Sequence, residues 1–480
     1  MGEIMNRKIL CVLVSWFIIA AIGFFAACTP ESTAGGFSEE TNALAGVLVN
    51  EKGEPQANVR VFARHAKANI SDLVDTTDSE GRFEFSLVRQ GHYGLSATKG
   101  KSSMYKRVNY YGQNIDVVAH MVPSTDVSGT VNLREDTVAS DVVVYIPGSP
   151  WEAKTSDKGK FSFKGVPEGT FPVLAKSPDP VRFVDVFYVG TFEDGKAAFN
   201  GPYPVDLMDD VMAKASPDTG AATPGSAEES EDVRLVNSET SKNILLPLSP
   251  EYGTLCWWPL DYLTEGFAGT KISSDARGRT DGVIFYGEPE LTDGVSRNAI
   301  ELVGAKQYGV VENDRNALDS ATEMTLEAWV NVTKLPSDSI YRRNIVGKLG
   351  FGSTGDQDVF SLSLVRGECG VKEPKLAFFI AGGAEEDSLG CENVIFSNEV
   401  EIKEWMFVTV VWNSGLLSMY VDGQLVDTVN TTVKKINPSS EPIIFGKEKL
   451  NIKLDDVRLS KTSINAADVL YRYYLKGGAL

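Results

Sequence analysis

Few residues in this 480-residue chain have the types and spacing that chemistry needs. Its three histidines, His65, His92 and His120, fall in the first quarter of the chain, and none stands near a Ser or Cys in a nucleophile context. His92, in Gln90-Gly91-His92-Tyr93, opens a predicted strand and reads as a solvated loop histidine rather than a ligand. Glycoside hydrolysis needs two carboxylates projecting from one strand face, a Glu-x-Asp-x-Glu pattern or a close relative, and the chain lacks it. Glu401 and Glu404 have opposite parity on a strand, and Glu385 to Ser388 lie in a Gly-rich loop. Both read as solvated charge. The neighbours Asp455 and Asp456 must point to opposite faces.

Binding chemistry has better candidates. Asp275 and Asp281, in the run SSDARGRTDG, offer the loop carboxylates and Gly-rich backbone that a calcium ion takes; the alternative is that they cap turns. Trp257 and Trp258 are candidate sugar-stacking platforms, because the C–H face of a sugar packs on a flat ring. As strand neighbours, one must face the core and the other must not. Tyr110-Tyr111 and Trp151 raise the same possibility nearer the N-terminus, against a prior that favours core packing. Cys369 and Cys391 flank a predicted strand, Lys375 to Ile380, and could pair, whereas Cys256 reads as a buried small hydrophobe. No cysteine spacing suggests zinc.

The elements that must position these residues are strands. From Glu404 to Thr428 the sequence EWMFVTVVWNSGLLSMYVDGQLVDT reads as a three-stranded meander turned at Asn413-Ser414-Gly415 and at Asp422-Gly423. Its first strand alternates apolar with apolar, so both faces are buried. This meander resembles the concanavalin A-like, laminin-G-like jelly-roll family, and further landmarks follow in the family's order. They are WWPLDYLTEG, SSDARGRTDG and EMTLEAWV upstream, and PIIFG, LDDVRLS and NAADVLYRYY downstream. The resemblance covers residues 250–480 and implies a jelly roll with a short C-terminal helix. It also implies that the first and last strands lie side by side, so that Asp455 could approach the Asp275 to Asp281 loop and help hold one structural Ca2+ ion. Function does not follow from that fold, which hosts lectins, adhesins, hydrolases and spacers.

An internal repeat precedes the jelly roll. Asp78, Gly81, Phe83 and Phe85 in TDSEGRFEF match Asp157, Gly159, Phe161 and Phe163 in TSDKGKFSF about 80 residues later, with the turn shortened from Asp-x-x-Gly to Asp-x-Gly. Both copies resemble the carboxypeptidase regulatory-like, transthyretin-like family, which implies tandem small β-sandwiches at 41–123 and 124–249. Residues 181–210 match poorly. Residues 212–240, rich in Ala, Ser, Pro, Gly and acid, read as disordered, and Asn243 to Leu248 as one more strand of the second sandwich. The fold class expected is all-β.

The N-terminus decides the compartment. Arg7-Lys8, the apolar run Ile9 to Phe25 and Ala26-Ala27-Cys28 form an export signal over residues 1–27. Phe25-Ala26-Ala27-Cys28 resembles the bacterial lipoprotein box, which implies lipidation of Cys28, and Thr29 after it implies outer-membrane sorting. Residues 28–40 then read as a flexible tether. The formal charge of −19 becomes −20 once residues 1–27, with Glu3 against Arg7 and Lys8, are removed, and such an acidic surface disfavours nucleic acid. The expectation is a lipid-anchored, non-catalytic cell-surface protein that binds a polysaccharide or other glycan. The alternatives are a module that binds a surface protein and a polysaccharide hydrolase with an unrecognised site.

Overall fold

The computed structural model describes residues 43–66, 72–86, 88–134, 137–215, 243–350, 358–382 and 389–478. The export signal, Cys28, the tether, most of the 212–240 segment and Glu385 to Ser388 lie outside these residues. The regular structure of the described residues is nearly all-β, as expected from the alternating sequence, and the chain divides into two compact units. Of the described residues, one unit comprises those within 43–93 and 107–120, the other those within 94–106 and 121–478.

In the first unit, Leu44–Asn50 pairs antiparallel with Arg82–Phe85, and Arg60–His65 with Leu73–Thr76. The turn between them works as its sequence predicts. Asp78 accepts hydrogen bonds from the backbone N–H of Glu80 and Arg82, and Gly81 takes φ +76°, where a Cβ would lie 2.6 Å from the carbonyl oxygen of Leu48. Phe83 and Phe85 then enter the core. The second copy holds a correction. Ser156, not Asp157, stands where Asp78 stands: its N–H donates to Lys160, its carbonyl accepts from Gly159, and its hydroxyl caps the N–H of Lys160. The two turns therefore have the same length, and the apparent shortening came from aligning on the acid instead of on the capping group.

The second sandwich is completed by residues that matched poorly in sequence. Val186–Glu193 and Lys196–Pro204 form a hairpin that extends the sheet Gly169–Lys176, Val143–Tyr145, Glu152–Lys154. Residues 212–215 end a helix, Met208–Ala215, so that part of the expected disordered segment is ordered. Asn243–Leu245 returns parallel to Thr130–Asn132, as expected of a strand belonging to this sandwich.

The jelly roll has two facing sheets. One runs, in spatial order, Glu290–Asp293, Asn298–Gly304, Leu450–Ser460, Glu323–Val332, Trp405–Asn413, Leu416–Val421 and Gln424–Asn430, and Thr254–Trp258 pairs with Leu450–Ser460, so first and last strands are neighbours. The other runs Thr264–Glu265, Lys271–Ser273, Val283–Tyr286, Tyr308–Val311, Ile443–Phe445, Tyr341–Lys348, Phe360–Arg366, Lys375–Ile380 and Val394–Glu399. Met406, Val408, Val410 and Trp412 point into the core between the sheets. Val411, on the opposite face, joins Tyr420, Ile464, Val469 and Tyr471 in one apolar cluster with Phe161, Phe163 and Ile244 of the second sandwich. Residue 250 is thus a boundary in topology but not in the core.

Beneath the C-terminal helix Ala466–Leu475 lies a buried ion network. Glu327, in mid-strand and fully buried, accepts from Arg472 Nη1 at 2.6 Å, with Lys476 Nζ 3.6 Å from its other oxygen. Lys476 Nζ is also 3.1 Å from Asp456, to which Arg458 Nε lies at 3.5 Å. Burial alone would raise the Glu327 carboxyl, but Arg472, Lys476 and Arg458 outweigh it and hold it below the ordinary range. The helix is capped by Asn465 and Asp468 in a reciprocal box, and Asp468 also accepts from the N–H of Leu248. Glu327→Ala leaves two cations without their shared partner and is expected to cost about 3–5 kcal/mol. Replacing the pair by Glu327→Leu with Arg472→Met is expected to recover most of that loss in thermal unfolding.

Candidate ligand-binding face

One sheet of the jelly roll has its outer face covered by the C-terminal helix and the second sandwich, so an accessible face must be sought on the other sheet. Strand alternation decides which side chains it carries. Val283 and Phe285 point into the core, so Ile284 and Tyr286 point out; on the next strand Val311 points in, and Tyr308 and Val310 out. Gly309 makes the close packing possible, because a Cβ there would lie 2.6 Å from both Phe285 and Val283. The register sets Tyr286 directly opposite Tyr308 and Ile284 opposite Val310, which in turn faces Ile444.

The two tyrosine rings stack, with centroids 5.0 Å apart and planes 18° from parallel. With Val310, Glu312 and Pro442 they line a shallow pocket of about 240 Å3. Glu312 is exposed at its rim. Burial, then the nearby Glu312 and Tyr308, push the Tyr286 hydroxyl above its usual range, so it stays protonated as a donor. Behind the pocket the buried Lys348 donates to Asp314 at 3.0 Å and to the carbonyl of Glu441 at 2.7 Å. One ammonium thereby ties together the segments that carry Glu312 and Pro442.

Farther along the same face, Ser361 donates to Asn344 and contacts Ser363, both at 2.7 Å, in a buried polar row. The Arg342 guanidinium lies 3.8 Å from the Phe379 ring centroid and donates to Glu368 and to the carbonyl of Leu389. Those two residues adjoin the disulfide Cys369–Cys391, the pair expected from sequence. This end of the face is closed by its own loop.

The residues singled out in sequence have other places. Trp258 is fully buried against Phe445. Trp257 is half-buried, its face covered by Arg458 at 4.0 Å and its indole N–H donating to Asp456, so neither Trp offers an open platform. Trp151 and Tyr110 are core residues, and Tyr111 is exposed. His92 is exposed beside Asn109, and His65 is buried edge-on to Tyr93. Cys256 is buried and free, its thiol pushed up to about 12 by burial.

The three aspartates do not converge. Asp275 is buried and organises its loop: Oδ1 accepts from the N–H of Trp257 and Arg277, and Oδ2 from the N–H of Arg279 and Thr280 and from the Thr280 hydroxyl. Asp281 is 90% exposed and lies 3.5 Å from Arg315. Asp455 is buried elsewhere and accepts from the N–H of Val295 and Ser296. Among the described residues no three His, Cys, Asp or Glu side chains gather to hold an ion. Nothing in either strand marks Tyr286 or Tyr308 in the sequence; only the pairing of two segments 22 residues apart makes them one surface.

Residues 304–470 match a family model, Laminin_G_3, described as the concanavalin A-like lectin/glucanases superfamily. Among solved structures, the binding domain of Paraclostridial Mosquitocidal Protein 1 is 14% identical with a TM-score of 0.34, covering 45% of this chain and 52% of that one. Domain 4 of AbnA, a GH43 extracellular arabinanase from Geobacillus stearothermophilus, in complex with arabinotriose, is 14% identical with a TM-score of 0.31, covering 41% and 90%. A botulinum neurotoxin type C structure is 18% identical with a TM-score of 0.35, covering 45% and 50%. The chain thus spans about half the length of the two toxin chains. No curated protein matches the sequence.

Asp455 supplies a pH test. Burial pushes its carboxyl up to about 7 despite the amides of Ser296 and Val295, with Asp456 and Asp261 adding to the rise. Its unfolded value is near ~4, so the folded chain holds the proton more tightly. The stability this adds is present below pH ~4 and is lost as pH rises through about 7. Asp455→Asn is expected to flatten the fall in melting temperature between pH ~5 and ~8, which thermal melts at the two pH values will show.

Proposed function

We propose that this chain is a lipid-anchored cell-surface protein whose jelly roll binds a glycan without cleaving it. The observation that carries the reading is the stacked Tyr286–Tyr308 pair, which with Glu312 lines a pocket at one end of the second sheet's outer face. The two rings stack on each other, so each keeps its outer face and edge for the C–H groups of a sugar. Their hydroxyls and the Glu312 carboxylate supply a donor and acceptors for sugar hydroxyls. Among the described residues Glu312 is the one carboxylate lining the pocket, whereas hydrolysis by either stereochemical route uses two. The anchor rests on Arg7-Lys8, the apolar run and the Cys28 box.

The full chain applied to a glycan array and to a reducing-sugar assay is expected to bind without releasing product. Tyr286→Ala and Tyr308→Ala are each expected to weaken binding about tenfold, on the order of 1.4 kcal/mol. Product formation would establish the hydrolase instead, and silence in both assays would leave a surface protein as the partner. Anchoring is tested separately: Cys28→Ser is expected to abolish partitioning into the detergent phase, and unchanged partitioning would mean that the apolar run itself holds the membrane.

A further inference from the structure

The edge of the open sheet is a hairpin, Thr264–Glu265 paired with Lys271–Ser273, and its tip carries Phe267 with 92% of its surface exposed. Burying a Phe is favourable, so a rigidly exposed one makes no use of that gain within the chain. Rigidity here has identifiable causes. The N–H and hydroxyl of Thr270 both donate to the carbonyl of Phe267, at 3.2 and 2.8 Å, and the N–H of Gly266 donates to the carbonyl of Thr270 at 2.8 Å. Ala268 and Gly269 follow in the left-handed region at φ +54° and +80°, closing the turn behind the ring.

Register ties this tip to the tyrosine pocket. Lys271 pairs with Phe285 and Ile272 with Ile284, so the same register continued by one residue brings Thr270 beside Tyr286, whose neighbour across the next strand is Tyr308. Strands stand ~4.8 Å apart, so from the strand of Tyr308 to the outer strand of the hairpin the line is about 14 Å long. That exceeds one sugar ring and suits a chain laid across the strands. The lining is also selective by charge. Glu312 is the one charged group among the five residues lining the pocket, Lys348 behind it is committed to Asp314, and Lys271 in the hairpin pairs with Glu265.

We propose that Phe267 forms a second aromatic subsite in line with Tyr286 and Tyr308, so that the face takes an extended, uncharged glycan chain rather than a terminal or acidic sugar. This rests on the reading of the tyrosine pocket as a glycan site. The test runs the full chain in affinity gels containing laminarin, xylan, arabinan, galactomannan or dextran, then titrates the hexasaccharide and disaccharide of whichever polymer retards it. Phe267→Ala, which should leave the melting temperature unchanged, is expected to weaken the polymer and hexasaccharide about fivefold or more and leave the disaccharide unaffected, whereas Tyr308→Ala weakens all three. Wild-type binding by Phe267→Ala alongside loss in Tyr308→Ala would overturn the second subsite and keep the pocket. Equal affinity for a carboxymethylated form of the polymer would overturn the selectivity for an uncharged chain. Absence of retardation by every polymer would overturn the glycan reading and the subsite with it.

Discussion

A carboxylate buried in the middle of a sheet cannot stand alone, and much of this structure follows from how Glu327 is neutralised. Its cations come from Arg472 and Lys476, at the end of the C-terminal helix, so that helix must lie on the outer face of the strands Glu323–Val332 and Trp405–Asn413. Its other residues then meet the second sandwich, with Val469 and Tyr471 in one apolar cluster with Phe161 and Phe163. The ion pair contributes little net stability against an apolar pair of the same shape, but it permits few alternative placements of the helix. Breaking one partner is costly, and that cost holds the register.

Covering one sheet leaves only the other with an exposed stretch on its outer face. On that second sheet the end near Phe379 is closed by Arg342 and the disulfide loop, while the end near Tyr286 stays open because its neighbouring strands are short and end in a hairpin instead of a covering loop. The placement of the pocket is therefore the residue of two packing events elsewhere. Lys348 adds the local precision, since it bonds to both Asp314 and Glu441 and so sets the spacing between Glu312 and Pro442.

The aspartates show how one side-chain type takes different parts according to what surrounds it. Asp275 meets four backbone N–H groups and a hydroxyl and serves as a turn centre. Asp456, at φ +46° in a bulge of its strand, meets Lys476, Arg458 and the Trp257 indole, and these outweigh its burial to hold its carboxyl below the ordinary range. Asp455, one residue earlier, meets only two amides and is pushed up to about 7. Sequence adjacency would predict opposite faces for these two; the bulge breaks the alternation, since Leu454 and Val457 both enter the core, so neither carboxylate faces it and the two meet different electrostatic environments.

Local rules were sufficient for much of the chain. Alternation in residues 405–429, the left-handed pairs Ser414-Gly415 and Asp422-Gly423, the Asp78–Gly81 turn and the Cys369–Cys391 pair were all legible, because each depends on a few neighbouring residues or on a family pattern of such residues. Ser156 was misread since Asp157 beside it has the commoner capping side chain, and only the backbone bonds reveal which residue caps. The tertiary structure alone decided that Trp258 belongs to the core, that Trp257 is spent on Arg458 and Asp456, and that Glu327 is buried with Arg472 across 145 residues. It alone decided the site as well. Tyr286 and Tyr308 are unremarkable in sequence, and they form one surface because hydrogen-bonded register between two strands, a non-local property, sets them opposite each other.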